Sequence, residues 1–203
     1  MPEHCYFSHA GRWFLRSGIQ SPQGGVARYY RVDLGRNAPV STEITGYAIS
    51  ALVYLFETTG AAEFLEAAER AAGFLMTEAW DSRERIFPFE CSAKGEPVPA
   101  FAYFFDCGII LRGLLALWRV TKSAGLLAAA DECGNSMARD FREGSCFHPI
   151  LALPGKRPVP HGDRWSRRPG CYQLKSALGL LELGRITGNI AWKGRQYATK
   201  GKE

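Results

Sequence analysis

The chain has 203 residues, 46% of them hydrophobic and 22% charged, with a formal net charge of +5. This length and balance suit one soluble globular domain and exclude a disordered chain. The last eleven residues carry +3 of the charge, and a second basic cluster (Lys156, Arg157, Arg164, Arg167, Arg168) lies in a loop. Neither has the motif or aromatic interleaving of a nucleic-acid module, so no nucleic-acid partner is expected.

In chain order, the N-terminus lacks the basic start and apolar core of a secretion signal. No apolar run approaches the length of a membrane span, and the expected location is cytoplasmic. Residues 24–36, GGVARYYRVDLGR, read as irregular, with Tyr29, Tyr30 and Asp33 close together. A helix is expected over 42–58, where Ala48, Ala51, Leu52 and Leu55 recur at helical spacing. Ser41 is its expected N-cap and Thr59-Gly60 its stop. A second helix follows over 61–80, with Phe64, Leu65, Ala68, Ala71, Ala72 and Leu75 on one face and Glu63, Glu66, Glu69 and Arg70 on the other.

The pattern then repeats. FFDCGIILRGLLALWRVT (104–121) and PGCYQLKSALGLLELGRIT (169–187) carry the same column of small, Leu, Leu and Thr residues as 41–59. The column is Ala51, Leu52, Leu55, Thr59, then Gly113, Leu114, Leu117, Thr121, then Gly179, Leu180, Leu183, Thr187. Self-similarity at this period means stacked supersecondary units. The first arms are nearly free of charge and the second arms are amphipathic, so inner, covered helices alternate with outer, half-exposed ones. Residues 124–137 supply the second outer arm through Leu127, Ala130, Cys133 and Met137. The third unit stops early: after Thr187-Gly188 the chain reads NIAWKGRQYATKGKE, with no apolar stripe.

The expected fold is therefore all-α: an incomplete (α/α) toroid of two complete helical hairpins plus a partial third, with long irregular loops. One domain over 1–190 and a basic tail over 191–203 are expected. The apolar face of 171–186 then needs a cover. A longer parent chain is the favoured source, since open helical arrays need a polar cap, and a homodimer through that face is the alternative.

Long Gly- and Pro-rich connections at 79–103 and 142–170 exceed what a compact domain carries without a use, and 85–89 suits a short β-hairpin. They gather at the N-terminal ends of the inner helices, where Glu43 and Asp106 lie 63 residues apart, close to one repeat period. Two facing carboxylates permit acid–base chemistry at a glycosidic bond, so Asp106 and Glu43 are the candidate catalytic pair. An acid in a first helical turn also complements the macrodipole and caps free N–H groups, and that reading stays open for both.

Candidate substrate contacts are Tyr30, Tyr47, Trp165 and Tyr172 for stacking, Arg164 and Arg167 for an anionic group, and His148 as acid or base. Trp13, Tyr29 and Tyr103 extend the aromatic set, and His161 shares the loop of His148. Aromatic residues and loop histidines also occur in ordinary cores and loops. The six cysteines form no CxxC pair, and Cys107 and Cys133 read as core packing. No metal motif, phosphate loop or nucleophile elbow is present, so neither metal nor cofactor is expected.

The repeat over 41–187 resembles the six-hairpin (α/α) toroid superfamily, which includes unsaturated glucuronyl hydrolases, related polysaccharide-processing glycosidases and N-acylglucosamine 2-epimerases. The phrases GGVARYYRVDLGRNAPVSTEITGY and RWSRRPGCYQLKSALGLLEL are similar to those of bacterial proteins associated with exopolysaccharide biosynthesis. The resemblance implies a carbohydrate partner, an anionic sugar among the candidates, and a glycosidase- or epimerase-like activity. Glu43 and Asp106 resemble the acid pair of the glucuronyl hydrolases, with Glu in place of the first Asp. The alternative is a non-catalytic helical-repeat module that binds a glycan or protein. A prenyltransferase- or cyclase-like toroid lacks support, because zinc ligands and an Asp-rich motif are missing from the sequence.

Overall fold

The computed structural model describes residues 4–90 and 100–188. Six helices run through these residues: α1 (His4–Arg16), α2 (Thr42–Thr59), α3 (Ala62–Phe74), α4 (Phe104–Thr121), α5 (Ala124–Asp140) and α6 (Gln173–Thr187). The last turn of α3 widens into a π-type turn over Leu75–Ala79. Helices α2, α4 and α6 lie side by side, with α4 in the middle. Outer α3 packs on α2, and outer α5 packs on α4. Inner and outer helices alternate as the charge pattern requires.

Helix α1 is an addition to the sequence reading. It lies against α2 and beside α3, the place of an outer helix. Its buried contact is small: Gly11 sits where a Cβ would be 2.5 Å from the Phe64 ring, and Phe14 and Leu15 complete the seam. Trp13 on the same helix is 66% exposed. A face so poor in large side chains leaves little periodicity to read. The expected outer arm after Gly188 and the basic tail lie outside the described residues.

The repeating column now has physical causes. The Thr59, Thr121 and Thr187 hydroxyls donate to the Leu55, Leu117 and Leu183 carbonyls at 2.6, 3.0 and 2.9 Å. Each thus satisfies a carbonyl in the last turn of an inner helix. The small residues serve close approach. A Cβ on Gly113 would lie 2.5 Å from the Gly46 carbonyl oxygen of α2, and one on Gly179 would lie 3.2 Å from the Gly108 carbonyl oxygen of α4. Around these contacts Ile49, Leu52, Phe64, Leu75, Ile110, Leu114 and Leu117 form a continuous core.

The expectation of an all-α chain with irregular loops needs correction. The long connections carry strands: β1 (Tyr30–Arg31) pairs with β2 (Arg36–Asn37), and β4 (Arg142–Glu143) with β5 (Cys146–Phe147). Strand β3 (Ala100–Tyr103) pairs antiparallel with β6 (Ile150–Leu153), which pairs with β7 (Arg157–Pro158). This small sheet holds the entry to α4, because β3 ends where α4 begins and the Phe104 N–H donates to the Pro149 carbonyl. These strands are two to four residues long, too short for an alternating pattern to show.

The connection before α2 is held in a similar way. The Val26 N–H donates to Thr45 Oγ1, and Thr42 Oγ1 donates to the Pro88 carbonyl. Gly24, at φ +103°, leaves room for the Arg70 carbonyl oxygen, which would lie 2.1 Å from a Cβ. Ser41 caps α2, accepting from the Ile44 N–H at 3.3 Å. Ser41→Ala should therefore cost about 1 kcal/mol of stability, readable as a lowered urea midpoint.

Candidate functional site

All three inner helices point their N-termini toward the loop sheet, and the candidate acids lie there. Asp106 is in the first turn of α4 and only 5% exposed. Its Oδ2 is buried with no hydrogen-bond partner among the described residues. Burial raises its pKa well above the ordinary carboxyl value, the Glu43 charge and Cys107 push it further, and Arg28 opposes them. Glu43, in the first turn of α2, is half-buried; burial raises its pKa too, against the charges of Arg28 and Lys175. The two carboxyls therefore sense each other across neighbouring inner helices, and their surroundings differ. Burial disfavours the charged form of both carboxyls; Arg28 opposes it at both and Lys175 at Glu43.

Neither acid is the side-chain N-cap of its helix, although both lie in a first turn, where a carboxylate complements the macrodipole. Ser41 provides the side-chain cap of α2, and the Pro149 carbonyl accepts the first N–H of α4. A buried carboxyl oxygen without a partner is costly to the fold and needs another use.

Two sets of ring and cation contacts adjoin the pair, one through Arg28 and one through Lys175, whose charges reach Glu43. On one side Arg28 pairs with Glu90 at 3.5 Å and lies over Phe89, which packs against Tyr103. Burial raises the Tyr103 pKa, the Asp106 charge adds to this, and the Arg167 and Arg28 charges oppose it. On the other side Lys175 Nζ donates to the Tyr47 hydroxyl at 2.7 Å and lies over the Tyr47 and Phe105 rings. Tyr172 is tilted against Phe105 and meets Trp165 edge-on at 5.0 Å. Trp165 itself is 72% exposed, a flat indole face open to solvent. Burial raises the Tyr172 pKa, and its hydroxyl donates to the Arg168 carbonyl.

Of the sequence candidates, Tyr47 accepts from Lys175, Tyr172 packs on Phe105 next to Asp106, Trp165 meets Tyr172, and the Arg167 charge reaches Tyr103. Tyr30 lies elsewhere, 54% exposed on the β1–β2 hairpin. Arg164 precedes the short helical turn Trp165–Arg167 on the exposed loop. His148 is buried beside His161 and Glu143, in a cluster of its own. Two residues were missed. Arg28 sits in the irregular segment between two turns, where no pattern marks it. Lys175 had a signal: it is the third residue of α6, as Asp106 is of α4.

No protein-family model and no curated protein matches the sequence. Solved structures do. A sugar epimerase from a ruminal bacterium is similar at TM-score 0.76 and 15% identity, covering 94% of this chain and 52% of that one. Cellobiose 2-epimerase from Spirochaeta thermophila is similar at TM-score 0.72 and 18% identity, covering 95% and 52%. A family 76 glycoside hydrolase from a bovine Bacteroides thetaiotaomicron strain gives TM-score 0.69 and 14% identity over 94% and 41%. These neighbours are (α/α)-toroid proteins, and the chain shares their fold while spanning about half their length or less.

Proposed function

We propose that this half-ring is the sugar-processing face of an (α/α)-toroid protein acting on bacterial polysaccharide by acid–base chemistry. The observation that carries the reading is the buried Asp106 carboxyl, its Oδ2 without a hydrogen-bond partner among the described residues and within reach of the Glu43 charge. In this role Asp106 donates a proton to a departing or ring oxygen. Glu43, ionised, activates water or takes a proton from the sugar. Rings at the mouth stack on sugar C–H faces. Arg28 and Lys175 put two cations near the acids and Arg167 a third near Tyr103, an arrangement suited to an anionic sugar.

The reading is tested by titrating the chain with uronic-acid and neutral oligosaccharides, following tryptophan fluorescence and the sugar's NMR spectrum together. Binding is expected to favour the uronic acid. Trp165→Ala should weaken it by up to about tenfold, the equivalent of ~0.5–1.5 kcal/mol for one aromatic contact. Lys175→Ala should narrow the preference for the anionic sugar. Binding without turnover would support the non-catalytic module instead, and a chain that binds neither class would remove both readings.

A further inference from the structure

The loop between α5 and α6 carries a second cluster of chemistry, on the outer-helix side and separate from the acid pair. Glu143 ends β4, His148 follows β5, and His161 follows β7. One ligand atom from each lies within 4.8 Å of the others. The two imidazoles stack at 4.8 Å between centroids, and His161 Nε2 is 3.5 Å from Glu143 Oε2. We propose that these three side chains form a clasp for a divalent metal ion, with zinc the ion whose ligand preferences they fit best.

Three features carry it. First, the donors are two imidazole nitrogens and one carboxylate oxygen, the set a borderline-soft ion prefers. Second, the backbone around His148 accommodates the ligating tautomer. Its Nδ1 lies 2.9 Å from the Ile150 carbonyl oxygen, which can only accept, so this contact is a hydrogen bond when the ring proton is on Nδ1. The longer 3.3 Å approach of the Ile150 N–H to the same nitrogen is the weaker contact. Nε2 is then left with its lone pair and no hydrogen-bond partner among the described residues. A backbone carbonyl behind the ring is the usual second support of a ligating histidine. Third, His148 is 5% exposed, so its ring is immobilised before any ion arrives.

The spacing needs little adjustment. Tetrahedral donors at the usual zinc distances lie roughly 3.3 Å apart. Glu143 and His161 already meet that separation, and both are exposed enough to move. Three protein donors leave a fourth position for water. A bound ion would tie the segment before Trp165 to the β4–β5 hairpin, so its first role is to fix the loop that presents that indole. The sequence gives no spacing signature, because one ligand ends a strand and the other two lie in separate connections.

The test uses the untagged full chain, stripped with chelator and titrated with zinc chloride by calorimetry, then with cobalt(II) by visible absorption. One equivalent should bind, with cobalt bands of a four-coordinate site and a raised Tm. His161→Ala and Glu143→Gln alter exposed side chains and should each weaken binding by about tenfold or more. Unchanged circular dichroism of both variants would show that the fold is retained. His9→Ala, outside the cluster, should bind as the parent does. Absence of stoichiometric binding, or weakening in only one or neither of the two variants, overturns the three-donor clasp.

Discussion

Asp106→Asn should abolish turnover and stabilise the protein in the same stroke. General acid–base groups contribute on the order of 10²–10⁴ in rate, and the amide cannot donate as an acid. The gain in stability follows from the raised pKa. In the unfolded chain the carboxyl loses its proton near the ordinary value of 3.8, while the folded protein holds it well above that. As pH rises past the unfolded value, the unfolded state is therefore favoured, and the penalty grows until the folded carboxyl also ionises. Asparagine carries no such penalty. Each pKa unit by which the fold raises the carboxyl is worth about 1.4 kcal/mol of that advantage once the pH exceeds the folded value. Thermal unfolding from pH 4 to pH 8 reads this directly. The Tm difference between variant and parent should be smallest at pH 4 and reach several degrees at pH 8. A variant that is less stable at every pH would mean that the carboxyl has a structural partner, and the acid–base role would lose its main support.

Gly113 should resist replacement by alanine in the inner layer. Its Cβ would lie 2.5 Å from the Gly46 carbonyl oxygen, and backbone cannot rotate away as a side chain can. Gly113→Ala is expected to cost about 1–3 kcal/mol through overpacking, although alanine is the better helix former by roughly 1 kcal/mol. Gly73 is the matched control. It lies inside α3, where an added Cβ meets nothing within 4 Å. Gly73→Ala should gain about 0.5–1 kcal/mol. The same substitution in two helices then has opposite signs in urea titration. Equal shifts for both would mean that α2 and α4 do not pack through these glycines.

The inner helices were legible because burial on most sides leaves a nearly uncharged arm, and because the Leu and Thr column recurs. Leu55, Leu117 and Leu183 with their threonine partners show why: each pair closes the same last turn. Asp106 was legible as a charge among Phe104, Phe105 and Cys107. Its neighbours were less so. Arg28 and Lys175 reach the pair from elements 15 residues before and 69 residues after Glu43 and Asp106 respectively, and only the fold brings them in. Helix α1 was missed because glycine, not a bulky apolar residue, makes its closest contact. Strands β3 and β6 were missed because sheet pairing joins segments some 50 residues apart.

The glycine contacts also decide the shape of the array. Inner helices touch backbone to backbone through Gly46, Gly108, Gly113 and Gly179, whereas outer helices α3 and α5 scarcely meet. Each unit is thus a wedge, thin at the inner wall and thick outside, and stacked wedges must curve. The angle turned per unit depends on how closely the inner backbones approach. A side chain added at those four positions would flatten the arch and widen its bore. The curvature of the inner wall is therefore written in the places where the inner helices have no side chain at all.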